Sequence, residues 1–331
     1  MLGRYVIKRI LISIPVLLAI SFSVFMVIQL PPGSYIDSKK EQMRREGRWD
    51  PVEIEQLQQF YRINDPLPVQ YGHWIKNFVR GDLGRSWSQE APVTEVLRDY
   101  VPNTAIISAI TILFTWSIAI PFGILAAVKR NTVWDYALTF VGLAALATPA
   151  FVLAIIVQAI MQHQWPTFNP SGLVSDNVAD LPWYSWRFLS DLAKHLLVPV
   201  IIVGVAGTAG MIRIMRANVI DELRKQYVLC ARARGVHPAL VVLRYPVRVA
   251  INPLVSSVGL VLPELISGLI IISIVLGLPT LGPVTLQSLL EKDTYLATDV
   301  VFIECILAVV GILISDILLS VVDPRIKFEA K

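Results

Sequence analysis

ANVIDELRKQYVLCARARGVHPALVVLRYPVR, residues 217–248, is a basic, polar interval set between two long apolar runs. Within residues 213–248 stand eight basic side chains, Arg213, Arg216, Arg224, Lys225, Arg232, Arg234, Arg244 and Arg248, against the acids Asp221 and Glu222. Loops with this bias remain on the cytoplasmic side of a bilayer, so the stretch predicts both a membrane-embedded chain and its threading. Composition points the same way. A chain of 331 residues that is 55% hydrophobic and only 16% charged carries more apolar surface than a soluble core of that length takes up. The net charge of +4 is concentrated in short segments beside apolar runs, where it orients spans, and this distribution argues against nucleic acid as a partner.

About 20 apolar residues cross a hydrocarbon core of about 30 Å as a helix, and six runs qualify: 10–30, 104–128, 135–160, 196–215, 251–276 and 300–322. The first follows Arg4, Lys8 and Arg9 like a signal peptide, but it is too long and lacks a small-residue cleavage site, so it reads as a retained span. Starting inside, six spans place Lys129 and Arg130, the basic stretch, and the tail bearing Arg325, Lys327 and Lys331 in the cytoplasm. The expected fold is therefore an all-α polytopic membrane protein with six transmembrane helices, both termini cytoplasmic, and a large first outer loop. That loop, residues 31–103, mixes acids and bases, as long exported segments do, and is expected as an insertion with its own structure. Val93, Val96, Leu97, Tyr100 and Val101 predict a short amphipathic helix at the outer interface. Trp183, Tyr184 and Trp186 read as interfacial anchors, with packing as the alternative.

Inside the spans, Gly204, Gly207 and Gly210 recur every three residues and predict close approach of a neighbouring helix. Pro121 and Pro149 are places where a helix can kink. Three acids, Glu264, Glu304 and Asp316, lie in apolar surroundings, where an ionisable residue faces a bundle interior or a water-filled path. Glu264 is about thirteen residues into its span, roughly 20 Å at 1.5 Å per residue. It is the candidate for a translocation pathway, or else a hydrogen-bonding partner of a neighbouring helix. Glu304 and Asp316 are nearer the membrane faces and can snorkel.

Catalytic constellations are missing from the sequence. His73, His163, His195 and His237 are dispersed and form no HExxH pair, so no metal site is expected, and no GxxxxGK[ST] loop is present to cradle ATP. Any ATP chemistry must come from another chain. Cys230 and Cys305 offer no disulfide framework and read as free thiols.

Within the basic stretch, Asp221 to Arg234 is compatible with a helix stopped by Gly235, after which Pro238 can open a second helix. Two readings stand: a helix, a glycine corner and a helix forming a projecting knob, or a linker lying along the surface.

The run QYVLCARARGVHPALVVLRYPVRVAINPLV resembles the cytoplasmic loop of the transmembrane permease subunits of ABC importers, in their dipeptide/oligopeptide (and nickel) branch. Ala231 and Gly235 match that loop's motif, and Tyr245–Arg248 follows nine residues after the glycine. Leu229 and Cys230 depart from it, standing where the general motif has Glu and Ala and where the peptide branch often has a threonine before the alanine. GDLGRSW at 81–87 is similar to the branch's outer-loop signature, GLPTLGPVTLQSLLEKDTYL at 277–296 to its re-entrant region, and DPRI at 323–326 to its terminal signature. YVIKRILISIPVLL near the N-terminus is of the same type, and residues 171–186 resemble the longer second outer loop of some peptide and peptide-antibiotic uptake permeases.

The resemblance implies a multi-pass permease of a bacterial or archaeal cytoplasmic membrane, forming half of the pore of an ATP-driven importer of peptides. Relatives of the branch also serve oligosaccharides or nickel chelates. The implied partners are a second permease subunit, two cytoplasmic ATPases that carry the ATP and Mg, and an extracytoplasmic solute-binding protein. The chain itself is then no enzyme and holds no cofactor. In this reading Ala231, Arg232, Arg234 and Gly235 couple the chain to an ATPase, solvated surface being the plainer role for the two arginines. A reading of another class, an ion-coupled secondary transporter using the intramembrane acids, predicts transport without an ATP-hydrolysing partner.

Overall fold

The computed structural model describes residues 2–30, 40, 43–47, 50–52, 54–55, 65–164 and 171–322, the side chains of Leu2 and of residues 260–266 excepted. In chain order the helices described over their whole length are α1 (Leu2–Gln29), α2 (Leu67–Val79), α3 (Val93–Val128), α4 (Val133–Ala147), α5 (Ala150–Gln164), α6 (Trp186–Leu223), α7 (Gln226–Ala233), α8 (Pro238–Arg244), α9 (Pro246–Ala250), α10 (Asn252–Leu276), α11 (Leu281–Leu290) and α12 (Thr294–Val322). Among the described residues, five helices, or up to seven spans if each of two bent helix pairs is one, are long and apolar enough to cross a membrane. The protein is an all-α polytopic membrane protein, and each of the six expected apolar runs falls on a helix or a broken helix pair.

Three local expectations are corrected. Residues 92–101 are not a separate amphipathic helix but the beginning of α3, which runs 36 residues. Pro102 removes one backbone bond without ending it, because buried Val93, Leu97, Thr104, Ile107 and Thr111 keep one helical stripe through the proline. The third run is not one rod: α4 and α5 meet at 95°. Thr148 has φ −92 and ψ 121, the extended backbone that a following proline imposes. Finally, residues 221–223 end α6 and do not open the loop helix, since Arg224 caps α6 and α7 starts afresh at Gln226.

The described chain forms two compact units. One contains the start of α1, residues 104–279 and the second half of α12. Its centre is α6, a 38-residue helix whose Ser185 N-cap accepts from Phe188 N at 3.2 Å. Ile107, Ala154, Leu196, Ile202, Val258, Leu269, Ile272 and Leu276 form one core, and Ala119, Met211, Met215, Val219, Ala250 and Leu254 another. Small residues let the helices touch. A Cβ on Gly204 would come within 2.5 Å of Phe114, one on Gly123 within 2.6 Å of Met215 Cβ, and one on Gly259 within 2.9 Å of Ile312, whereas Gly210 meets nothing within 4 Å. The expected glycine face thus packs at Gly204 and loosely at Gly207, and stops there.

Two ion pairs tie helix ends within this unit. Arg9 Nη1 lies 3.1 Å from Asp316 Oδ2 while its Nε donates to Tyr5 OH, so Asp316 has a partner on α1 and need not reach water alone. Arg216 of α6 grips Asp135 of α4 with both prongs, Nε to Oδ1 at 2.6 Å and Nη2 to Oδ2 at 2.7 Å.

The other unit contains the rest of α1, the described residues up to 103, and residues 280–306. Phe25, Trp74 and Phe302 are its buried aromatic core, with Tyr71 and Phe78 packed against them. Trp74 Nε1 donates to Asp299 Oδ1 at 2.8 Å, giving a buried indole the partner it requires.

Candidate functional site

The basic stretch is a knob built on the end of α6. After Arg224 and Lys225 the eight residues of α7 turn at Gly235, whose φ of +75 is a left-handed value open to glycine at little cost. Val236 N donates back to Ala231 O and Gly235 N to Arg232 O, closing the helix end in the usual left-handed manner. Pro238 then opens α8 at its first position. Val228, Ala231 and Val241 are the knob's own core, with Leu223, Val236 and Tyr245 packed against it.

The structure brings Ala231, Arg232, Arg234 and Gly235 into this one knob but gives them different positions. Ala231 faces inward, where a small side chain lets α7 rest on α8. Arg232, Arg234 and Gly235 are exposed. On the same knob, Leu229, Leu240 and Leu243 are each more than half exposed. Leu240 and Leu243 were not singled out in the sequence, and Leu229 only as a departure from the motif, because periodicity assigns an apolar residue to a core; only their surplus over what a two-helix knob can bury would have marked them. Tyr227 OH donates to the Glu222 carboxylate. Partial burial, then that hydrogen bond, push the phenol up to about 12, so Tyr227 remains a protonated donor throughout the physiological range.

A second constellation joins two segments that the sequence showed only as separate signatures. Gly81 and Gly84 of GDLGRSW have φ of +82 and +72, and Asp82 Oδ1 accepts from Gly84 N at 3.0 Å. The turn presents Ser86, Trp87 and Ser88 to Asp293 of EKDTYL. Asp293 Oδ2 accepts from Ser86 Oγ and Trp87 N, both at 2.7 Å, from Ser88 N at 3.0 Å and from Ser88 Oγ at 3.1 Å. Its other oxygen accepts from Leu296 N at 3.1 Å and so caps α12. Tyr295 packs on Trp87 and closes over Gly84, where a Cβ would lie 3.3 Å from the ring.

Of the intramembrane acids, Glu304 accepts from Thr285 Oγ1 at 3.0 Å, which joins α12 to α11. Glu264 is on α10, and its side chain lies outside the described residues, as does the DPRI segment. Trp183, Tyr184 and Trp186 are 75%, 69% and 82% exposed, so they do not serve as core within the described chain.

Comparison with known proteins bears on all of these elements. Residues 119–328 match the family described as binding-protein-dependent transport system inner membrane component. The chain is 32% identical over 333 residues to the oligopeptide transport system permease protein AppB of Bacillus subtilis, covering 99% of this chain and 100% of that one. It is 27% identical to the dipeptide transport system permease protein DppB of Alkalihalophilus pseudofirmus, covering 98% and 99%. With the oligopeptide transport system permease protein OppB of Escherichia coli K12 it shares 25% identity over the same fractions. A match across most of the chain, including the knob, α10 and α12, means that the chain belongs to the family of binding-protein-dependent transport system inner membrane components.

Proposed function

We propose that this chain is one of two permease subunits lining the pore of an ATP-driven peptide importer. The observation that carries the reading is end-to-end similarity to an oligopeptide permease, 32% identity over 99% of the chain. Its partners are a second permease, two cytoplasmic ATPases bearing ATP and Mg, and an external solute-binding protein. Both termini and the knob face the cytoplasm, in keeping with the basic residues around the knob. The knob docks on an ATPase through Leu229, Leu240 and Leu243, with Arg232 and Arg234 at the rim and Gly235 at the corner, while Ala231 holds α7 in place from beneath. Three leucines left more than half exposed on so small a knob support a docking role. Glu264 lines the path of the peptide along α10.

The test is purification of the tagged chain from its native membrane, followed by peptide uptake in reconstituted vesicles. A P-loop ATPase should co-purify, and uptake should require ATP and the binding protein. Uptake driven by an ion gradient with no ATPase present would assign the chain to secondary transport instead.

A further inference from the structure

We infer that the Asp135–Arg216 ion pair is a positioning device that makes the broken third span move with the knob, an inference that rests on the importer reading above. The bidentate geometry fixes both the distance and the orientation of the two helices. Asp135 is 3% exposed and is held from a third side by Asn131 N, at 2.9 Å from Oδ2. It stands in the first turn of α4, where the positive end of the helix favours a carboxylate.

The partner's place on α6 is what gives the pair its reach. Arg216 is seven residues from the end of α6 at Leu223, about 10 Å along the axis. Its neighbour Met215 is fully buried and abuts Gly123 of α3. Asn218 Nδ2 donates to Ala250 O at 3.3 Å, which secures the same segment to α9. Leu223 packs both against the core containing Met215, Val219, Ala250 and Leu254 and against the knob core of Val228, Ala231 and Val241. The knob and the last two turns of α6 therefore form one continuous body, with apolar packing on the α3 and α10 sides and apolar packing plus the Asn218–Ala250 hydrogen bond on the α9 side. On the α4 side this segment of α6 carries a paired charge. Apolar contacts tolerate sliding, whereas a bidentate pair permits one register, so a displacement of the knob reaches α4, and through it the Thr148–Pro149 corner, at Asp135. Coupling between distant sites needs a physical contact that transmits the displacement, which proximity alone does not supply.

The experiment uses the complete complex, with both permeases, the ATPases and the binding protein, reconstituted in vesicles. It measures basal ATP hydrolysis and its stimulation by the binding protein, per assembled complex. For Asp135→Asn and Arg216→Gln, basal hydrolysis stays within twofold of the parent, and the stimulation ratio falls about fivefold or more, the size of a typical coupling between sites. Arg216→Lys, which keeps the charge and the stem but not the fork, gives an intermediate ratio. Lower yield with an unchanged ratio would make the pair merely structural and overturn the inference. Should Asp135→Asn fail to assemble, Arg216→Lys decides alone, and a parental ratio there refutes the proposal. A parent complex whose ATP hydrolysis does not respond to the binding protein would sink the importer reading itself, a result distinct from a responsive parent with responsive variants.

Discussion

Substituting Gly235 separates backbone strain from docking, because the two make opposite rankings. The residue has φ +75, and a Cβ built on it meets nothing within 4 Å, so a side chain adds strain without a clash. Left-handed backbone costs a non-glycine residue about 1–2 kcal/mol, and Asp or Asn falls at the low end because its short polar side chain bonds locally. If strain were the whole effect, Gly235→Ala would be at least as harmful as Gly235→Asp. If an ATPase covers the corner, the ranking inverts, since an uncompensated carboxylate in a buried interface costs several kcal/mol. At about 1.4 kcal/mol per factor of ten, Ala then weakens docking roughly tenfold and Asp by more than a hundredfold. The measurement is peptide uptake and ATPase co-purification for Gly235→Ala, →Asn and →Asp, normalised to the amount of chain in the membrane. That amount should stay near the parent level, since Val228, Ala231 and Val241 keep α7 packed. Uptake by the Asp variant equal to or above that of the Ala variant would refute the assignment of the corner as a docking surface.

Other outcomes follow from the same geometry. Asp293→Asn removes the charge from an acceptor that serves five donors, four of them in Ser86–Ser88; a loss of about 3 kcal/mol should appear as faster proteolysis of the 81–90 loop in reconstituted protein. Gly123→Ala forces a Cβ to 2.6 Å from Met215 and should destabilise by about 1–3 kcal/mol, whereas Gly210→Ala, with open space, should leave the thermal midpoint unchanged or raised; equal midpoints for the two variants would show that the small residues are not contact points. Glu264→Gln should shift the range of peptides taken up, and identical uptake across a peptide panel would remove Glu264 from the pathway.

What could be read from the sequence follows from the range of each interaction. Spans were legible because hydropathy needs composition alone, and the Gly235 corner because a left-handed φ selects glycine regardless of distant contacts. The right-angle break at Pro149 was not legible beyond a possible kink, since Pro102 and Pro121 have the same local effect inside α3 without breaking it. The end of α6 at Arg224 carries no glycine or proline, and α7 has no side-chain cap at Lys225, so the boundary left no mark. Asp293 and Arg216 were invisible as site residues for the opposite reason: their partners are 205 and 81 positions away respectively, and a carboxylate or a guanidinium alone does not announce its partner. The family resemblance supplied the signature segments but not their meeting.

That meeting has a consequence for synthesis. Ser88 and Asp293 are separated by 205 residues, so the loop of GDLGRSW lacks its Asp293 acceptor when it first leaves the ribosome. At about 5–20 residues per second, it waits roughly 10–40 s before Asp293 has even been made. During that interval Ser86, Trp87 and Ser88 must remain hydrated or shielded by another protein, and a pause in translation between the two segments lengthens the time for which that part of the chain is open to proteases.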